Sequence, residues 1–241
     1  MTDSPSHPGH NSHSEPAVVL HRVSKLFGRF AALHDLSISL PAGRLYGLIG
    51  ENGAGKTTLL RIIAGLSRPS RGSVQVLGSN DLPSISSRIG YMAHATLLYD
   101  ELTARENLDY FRGLYADRAT ASTGDLVEMV GLGHVETGRR VSQYSQGMKQ
   151  RLALARAVLA LPDLLLLDEP FSNVDSRSIA MMSALLGSLR DRGTTLIVIT
   201  HQLEALATVA DEWITLRAGA IVKRESLRIG THAAFPGGAR T

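Results

Sequence analysis

Gly50-Glu51-Asn52-Gly53-Ala54-Gly55-Lys56-Thr57 matches the phosphate-loop pattern G-x-x-x-x-G-K-[ST], and this stretch decides the fold. The apolar run Leu45-Tyr46-Gly47-Leu48-Ile49 precedes it and is typical of a buried strand. Residues 58–65 follow with a helical pattern that a glycine closes. Because the glycines let backbone N–H groups converge on an anion at a helix N-terminus, this order of strand, loop and helix predicts a nucleotide-binding site.

The side chains of the loop have separate predicted roles. Lys56 reaches the β- and γ-phosphates, which makes it both a nucleotide contact and a catalytic residue, and the Thr57 hydroxyl ligates Mg²⁺. The other predicted nucleotide contacts lie along the loop and at the start of the helix: Gly50, Asn52, Gly53, Ala54, Gly55 and Thr58. The alternative, a glycine-rich turn with a surface lysine, leaves the flanking strand and helix unexplained.

The composition is that of a soluble globular protein located in the cytoplasm. Of the 241 residues, 44% are apolar and 20% charged, and no run of 18 apolar residues predicts a membrane span. Residues 1–15 are rich in Ser, Pro and His and lack the apolar core of a signal peptide. The absence of cysteine excludes disulfides and thiolate metal sites.

Both ends of the chain are predicted to be tails, residues 1–16 disordered and residues 230–241 flexible. His7, His10 and His13 allow a metal-binding tract, but their polar surroundings favour a disordered tail. The net charge of +3 comes from 25 basic and 22 acidic residues. Because no dense basic run carries interleaved aromatic residues, we predict no nucleic-acid partner.

Short strands and three helices are predicted on either side of the first helix. Residues 18–20, 36–40 and 72–78 have strand patterns and predict a small antiparallel layer. A capping box at Thr103-Ala104-Arg105-Glu106 starts a helix, and residues 125–130 and 146–160 predict two more. These helices interrupt the sheet, so residues of about 92–160 form a predicted helical subdomain inserted in a domain over residues 17–229.

Two continuous apolar runs predict the centre of a parallel sheet. Leu164-Leu165-Leu166-Leu167 and Thr195-Leu196-Ile197-Val198-Ile199 suit strands covered on both faces. Ile179, Met182, Leu186 and Leu189 recur between them at helical spacing, which indicates a core-facing helix. Residues 213–216 and 220–222 predict a terminal hairpin, so the fold class is α/β with a mixed sheet.

The predicted catalytic side chains follow these two runs. Asp168 and Glu169 end the first run, at the edge of a nucleotide-binding sheet where ligands bind. Asp168 is predicted to hold Mg²⁺, and Glu169 to orient and polarise the attacking water. His201 follows the second run, 32 residues after Glu169, and is predicted to contact the γ-phosphate at the same edge. Surface carboxylates and a structural histidine are the alternative.

A second anion site is predicted at Tyr144-Ser145-Gln146-Gly147-Met148-Lys149-Gln150-Arg151. Its serine and glycine lie at a helix start, where a hydroxyl and unpaired backbone N–H groups point outward. Ser145 precedes Asp168 by 23 residues, with a helix of about 22 Å between them. One chain is therefore not expected to bring both sites to one phosphate, whereas two chains facing head to tail would.

These motifs together resemble the ATP-binding subunits of ABC transporters over residues of about 17–225. The signature stretch 144–148, Asp168-Glu169-Pro170, Ser172-Asn173-Val174-Asp175 and His201 stand in the family's order. The resemblance implies a phosphate-loop NTPase of ABC type, with ATP and Mg²⁺ as cofactors and an identical second subunit as partner. It also implies that Ser145 and Gly147 contact the γ-phosphate of the opposite subunit, that Asp175 links the paired sites, and that Phe27 stacks on adenine.

The sequence departs from the family pattern at the signature and at one loop residue. Gln146 and Met148 replace the first glycine and the last glutamine of the L-S-G-G-Q signature. His94 stands where the family has the Q-loop glutamine, which senses Mg²⁺ and water and faces the membrane subunit. Imidazole also donates or accepts a hydrogen bond, but protonation removes its acceptor nitrogen. We therefore predict that His94 replaces the glutamine at the Mg²⁺ site with a pH-dependent penalty; a plain loop residue is the alternative.

The predicted function is that of an ATPase subunit which powers export through separate membrane subunits. The resemblance places it on the cytoplasmic face of the inner membrane and docks the membrane subunits near residues 90–107. Residues 93–103 and 144–148 look most like haem-exporter ATP-binding subunits of cytochrome c maturation. Export of drugs, lipids or polysaccharide, a non-transport ABC ATPase and a binding-only regulatory module are the alternatives.

Overall fold

The computed structural model describes residues 15–115, 120–135 and 138–227. The predicted C-terminal tail, nearly all of the N-terminal tail and the histidines His7, His10 and His13 lie outside these residues. The elements in chain order are β1 Pro16–Phe27, β2 Phe30–Pro41, β3 Leu45–Ile49, α1 Lys56–Ile63, β4 Arg71–Val76, β5 Ile89–Met92, α2 Ala104–Gly113, α3 Thr123–Met129, α4 Gln146–Val158, β6 Leu164–Asp168, α5 Ser176–Asp191, β7 Thr195–Ile199, β8 Glu212–Arg217 and β9 Ala220–Ser226.

Two sheets form the framework. The smaller is antiparallel and has the strand order β2-β1-β4. The larger has the order β5-β6-β7-β3-β8-β9, in which only the β8–β9 pair is antiparallel. The structure therefore confirms the predicted class, an α/β fold with a mixed sheet and a separate antiparallel layer.

The central strands of the large sheet are buried on both faces because they separate two hydrophobic cores. Every residue of β6 and β7 is buried. Alternate side chains of a strand point to opposite faces. Accordingly, Leu164 and Leu166 join the core beside the small sheet and α1, whereas Leu165 and Leu167 join the core formed with α2 to α5. This double burial explains the continuous apolar runs in the sequence.

Helices α2, α3 and α4 lie in the chain between β5 and β6, where the inserted helical part was predicted. Thr103 caps α2 in a complete capping box with Glu106. Met182 and Leu186 of α5 are fully buried, as their spacing predicts. Within the described ranges, no helix is both long enough and apolar enough to cross a membrane.

Several element bounds differ from the predictions for local reasons. β1 and β2 each run over 12 residues instead of three and five, because bulges let the pairing continue past polar positions. Helix α1 begins at Lys56 rather than at residue 58, directly after the left-handed Gly55. Strand β5 has only four residues, contains a glycine and shows no alternation of apolar and polar residues, so the sequence pattern did not predict it.

The parallel register brings the strand ends of the site together. Asp168 of β6 pairs with Ile199 of β7, and Ile199 pairs in turn with Leu48 of β3. The residues that follow these strands therefore meet at the carboxyl edge of the sheet. They are the phosphate loop after β3, Glu169 after β6 and His201 after β7.

Candidate functional site

The phosphate loop needs glycine at two positions because the chain passes close to its neighbours. Gly50 has a φ of 148°, and a Cβ there would lie 2.1 Å from the carbonyl oxygen of Leu216. Gly55 has a φ of 100°, and its Cβ would lie 2.5 Å from the carbonyl oxygen of Ala32. Any side chain at either position forces the loop away from the strands that support it.

Lys56 is buried beneath the loop and holds it from inside. Its Nζ donates to the carbonyl oxygen of Gly50 at 2.6 Å and to that of Glu51 at 2.9 Å. The side chain also lines the cavity that the loop borders. Since an ammonium group has three N–H donors, one remains for an anion beyond these two bonds.

Thr57 and Asp168 present oxygen donors side by side. The Thr57 hydroxyl donates to Oδ2 of the buried Asp168 at 2.9 Å. Hard oxygen ligands of this kind suit Mg²⁺, which usually takes one or two protein oxygens and completes its shell with water and phosphate. No group of three or more His, Asp or Glu side chains in the described ranges forms a metal site by itself. The residues thus fit a cation that arrives with a nucleotide.

Glu169 is held in an unusual backbone conformation beside His201. Its φ is 55°, in the left-handed region that few non-glycine residues adopt. Oε2 accepts a hydrogen bond from the backbone N–H of His201 at 3.3 Å. Oε1 is buried and has no hydrogen bond among the described residues, although His201 Nε2 lies 3.3 Å away. A buried acceptor without a donor suits a water molecule that must be oriented.

The electrostatics of Glu169 suit a base better than those of an exposed carboxylate. Burial raises the pKa of this carboxyl, and the neighbouring Asp168 adds to the rise. His201 lowers the same pKa without cancelling the effect of burial. A carboxylate with a raised pKa binds a proton more readily near neutral pH, as general bases do.

One cavity of about 520 Å³ collects most of the predicted site residues. The predicted residues that line it are Phe27, Asn52, Gly53, Ala54, Gly55, Lys56, Thr57, Thr58, His94, Asp168, Glu169 and His201. Gly50 lies at the start of the loop and contributes the carbonyl that Lys56 binds. Further lining residues were not predicted from the sequence; they are Phe30, Ala32, Ser172, Ile199 and Gln202. Only the position of Phe30, three residues after Phe27, could have indicated one of them.

Ser145, Gly147 and Asp175 lie outside this cavity and close to one another. The Ser145 hydroxyl accepts from the N–H of Met148 at 3.3 Å and caps α4. A Cβ on Gly147 would lie 3.2 Å from the carbonyl oxygen of Asn173, so the start of α4 packs on the segment before α5. Asp175 caps α5 by accepting from the N–H and the hydroxyl of Ser178.

The loop that carries His94 is tied to helix α4. Lys149 Nζ bonds to the Asp100 carboxylate at 2.7 Å, and Arg156 donates to the carbonyl oxygen of Leu97 at 2.9 Å. His94 itself is exposed and lines the cavity. The residues after His94 therefore share their supports with the helix that Ser145 begins.

Comparisons with known proteins give this geometry a family. The family model described as ABC transporter matches residues 33–172. The bacitracin transport ATP-binding protein BcrA of Bacillus licheniformis is 35% identical over 83% of this chain and 67% of its own length. The ABC transporter ATP-binding protein NatA of Bacillus subtilis (strain 168) is 36% identical over 81% of this chain and 82% of its own length.

A solved structure agrees with these sequence relatives. It is a dimeric ATP-binding cassette in a post-hydrolysis state bound to ADP and Pi, with a TM-score of 0.81 and 28% identity. The match covers 88% of this chain and 100% of that one. The chain therefore belongs to the ABC transporter family, as one of its ATP-binding and ATP-hydrolysing domains.

Proposed function

We propose that this chain is the subunit that hydrolyses ATP to power export through separate membrane subunits. One observation carries the proposal: the pairs Thr57–Asp168 and Glu169–His201 line the same cavity as the phosphate loop. Relatives named for bacitracin transport, daunorubicin resistance and Nod factor export support export. A sulfate/thiosulfate import ATP-binding protein is also 36% identical to this chain. The proposed direction of transport therefore rests on the names of the bacitracin, daunorubicin and Nod factor proteins.

The proposed mechanism positions the reacting groups and neutralises their charge, because phosphoryl transfer asks little covalent chemistry of the protein. Lys56 binds the β- and γ-phosphates, and Thr57 and Asp168 would hold Mg²⁺. When bound, Mg²⁺ neutralises the charge that develops on the phosphates. Glu169 orients the attacking water through Oε1 and accepts its proton. His201, with an exposed side chain beside Glu169, contacts the γ-phosphate.

The proposed working unit is a homodimer that binds two ATP molecules. Ser145 and Gly147 lie away from the cavity of their own chain, so they serve the γ-phosphate held by the opposite chain. The family resemblance implies that Asp175 connects the two paired sites, and it lies two residues after Asn173, which Gly147 approaches. The Ser145 hydroxyl and the positive end of helix α4 supply the proposed anion contacts.

The proposed domain spans residues 17–229, with its helical part at about 92–160. Membrane subunits are proposed to dock near residues 90–107, which places the chain on the cytoplasmic face of the inner membrane. Tyr99 lies in this range and Tyr110 three residues beyond it; both are exposed, and their ring centroids lie 4.9 Å apart. Exposed aromatic residues of this kind are enriched at protein interfaces.

Haem is the finer substrate proposal, and it rests on residues 93–103 and 144–148 alone. The relatives described above carry names that refer to other substrates, which gives haem no further support. Substrate choice is proposed to reside in the membrane subunits, because the described ranges contain no helix that could span a membrane.

The test is to isolate the tagged chain from gently solubilised native membranes and to identify what accompanies it. Multi-span membrane proteins are expected, and cytochrome-maturation factors among them would favour haem. The control is the same isolation after a high-salt wash of the membranes, which removes loosely bound soluble proteins. Recovery of soluble partners alone in both preparations contradicts the transport proposal.

The pH dependence of hydrolysis tests the role of Glu169. The protonated carboxyl cannot accept a proton from water, so kcat/KM is expected to fall as the pH decreases through the pKa of Glu169. Because burial raises that pKa, the fall should begin at a higher pH than for an ordinary glutamate. Steady-state ATPase assays over the acid range measure kcat/KM. A fall of kcat/KM that begins only in the pH range of an ordinary glutamate contradicts the assignment of Glu169 as the base.

His94→Gln is the companion variant in the same assay. If His94 replaces the Q-loop glutamine, the variant should differ from the wild type in its ATPase rate or in its pH profile, since an amide and an imidazole offer different hydrogen-bonding groups. If neither the rate nor the pH profile changes, His94 is a loop residue.

A further inference from the structure

Two exposed phenylalanines line the same cavity as the phosphate loop, at the turn between β1 and β2. Phe27 ends β1 and Phe30 begins β2, and the two residues are cross-strand partners around the turn at Gly28 and Arg29. Their exposed fractions are 55% and 63%, and both line the cavity. Large apolar side chains are rarely left exposed inside a binding cavity unless a ligand covers them.

The two rings do not pack on each other. The ring contacts found in residues 15–115, 120–135 and 138–227 involve Tyr99, Tyr110 and Phe111, and neither phenylalanine of the hairpin takes part. Both faces of Phe30 are therefore free of aromatic neighbours, although a hairpin pair of this kind often stacks. The arrangement leaves room for a flat group against the rings.

Lys25 lies over one face of the Phe27 ring. Its Nζ lies 5.1 Å from the centroid of the Phe27 ring and donates to the carbonyl oxygen of Arg68 at 2.8 Å. The adjacent N–H of Leu26 donates to the Ser70 hydroxyl at 3.0 Å. The end of β1 is thus tied to the loop after α1, and the cation occupies one face of the ring.

We propose that Phe30 is a second base-contacting residue and that Lys25 positions Phe27 beside it, so that the hairpin binds the base of the nucleotide through its face. This inference rests on the proposed function, which places the nucleotide in this cavity. The hairpin side chains that line the cavity, Phe27, Phe30 and Ala32, carry no polar atom. They contact the faces and not the edges of a base, and stacking of this kind tolerates different bases.

The test compares a nucleotide with a probe that lacks the base. Phe30→Ala is expected to weaken ATP binding on the order of tenfold, which is the usual effect of removing one stacking ring. Binding of inorganic tripolyphosphate should stay unchanged, because the phosphate loop is untouched. Phe30→Trp should retain ATP affinity, and Lys25→Met should weaken ATP binding a few fold with no effect on tripolyphosphate. Titration calorimetry measures the binding of ATP and of tripolyphosphate to the wild type and to each of these three variants.

The matched control is Val222→Ala, which shortens an exposed apolar side chain of β9 away from the cavity. Its ATP affinity should equal that of the wild type. Unchanged ATP affinity in Phe30→Ala overturns the inference, and so does an equal loss for tripolyphosphate. A wild-type chain that binds neither ATP nor tripolyphosphate instead overturns the proposed function, so the two failures are distinguishable.

Discussion

Glu169→Gln is expected to bind ATP normally and to hydrolyse it roughly 100 to 10,000 times more slowly than the wild type. The amide keeps the size of the side chain and can still accept the bond from the N–H of His201, but it cannot take a proton from water. Binding should persist because the phosphate loop and Lys56 are unchanged. Single-turnover hydrolysis and nucleotide titration separate the two effects.

The same variant is expected to accumulate as a dimer in the presence of Mg-ATP. If Ser145 of each chain binds the γ-phosphate of the other, blocked hydrolysis keeps both nucleotides in place and holds the chains together. Light scattering after gel filtration, with and without ATP, reads out the assembly. A variant that stays monomeric and turns over at the wild-type rate contradicts both the role of Glu169 and the dimer.

Glu169→Gln is not expected to slow hydrolysis through loss of folding. Because burial raises the pKa of Glu169, the folded chain binds a proton more readily than the unfolded chain does. Ionisation therefore costs stability as the pH rises through the raised pKa, and a neutral amide removes that cost. The variant should melt no earlier than the wild type at neutral pH, which thermal unfolding checks.

The sequence predicts most of the sheet and the phosphate side of the site because their signals are local. The glycines at 50 and 55, Lys56 and Thr57 form one continuous pattern, and two apolar runs mark β6 and β7. Even the meeting of Glu169 with His201 follows from strand order, since parallel strands end at one edge. Local patterns and topology suffice for this half of the cavity.

The rest of the cavity lining could not be predicted in the same way. Phe30 and Gln202 line the cavity through tertiary placement, and no sequence motif fixes their positions. The lengths of β1 and β2 also depend on bulges in their pairing. Arg22 and Asp35 have positive φ angles there, and their side chains form an ion pair. Propensity gives no signal for such irregular pairing, because contacts across the sheet decide it.

Lys56→Ala is expected to abolish tight ATP binding, because Lys56 supports the loop as well as the phosphates. Removing the ammonium leaves the carbonyl oxygens of Gly50 and Glu51 without the donor that draws them inward. Truncating a buried, hydrogen-bonded charge costs roughly 2–5 kcal/mol of binding free energy, which weakens affinity at least about 30-fold. Titration with ATP and with tripolyphosphate should show the loss equally, since both ligands engage the loop.

Two further substitutions test whether ATP binding needs an ammonium group at position 56 or only the positive charge that this residue contributes. Lys56→Arg keeps the charge but brings a planar guanidinium into a space that fits a compact ammonium, so it should not restore affinity. Lys223→Ala removes an exposed lysine that pairs with Glu225 on β9, and its affinity should match the wild type. If Lys56→Ala binds ATP within about threefold of the wild type, the loop does not hold the phosphates as proposed. Equal losses in Lys56→Ala and Lys223→Ala would instead mean that net charge attracts the nucleotide, since each variant lowers the net charge by one.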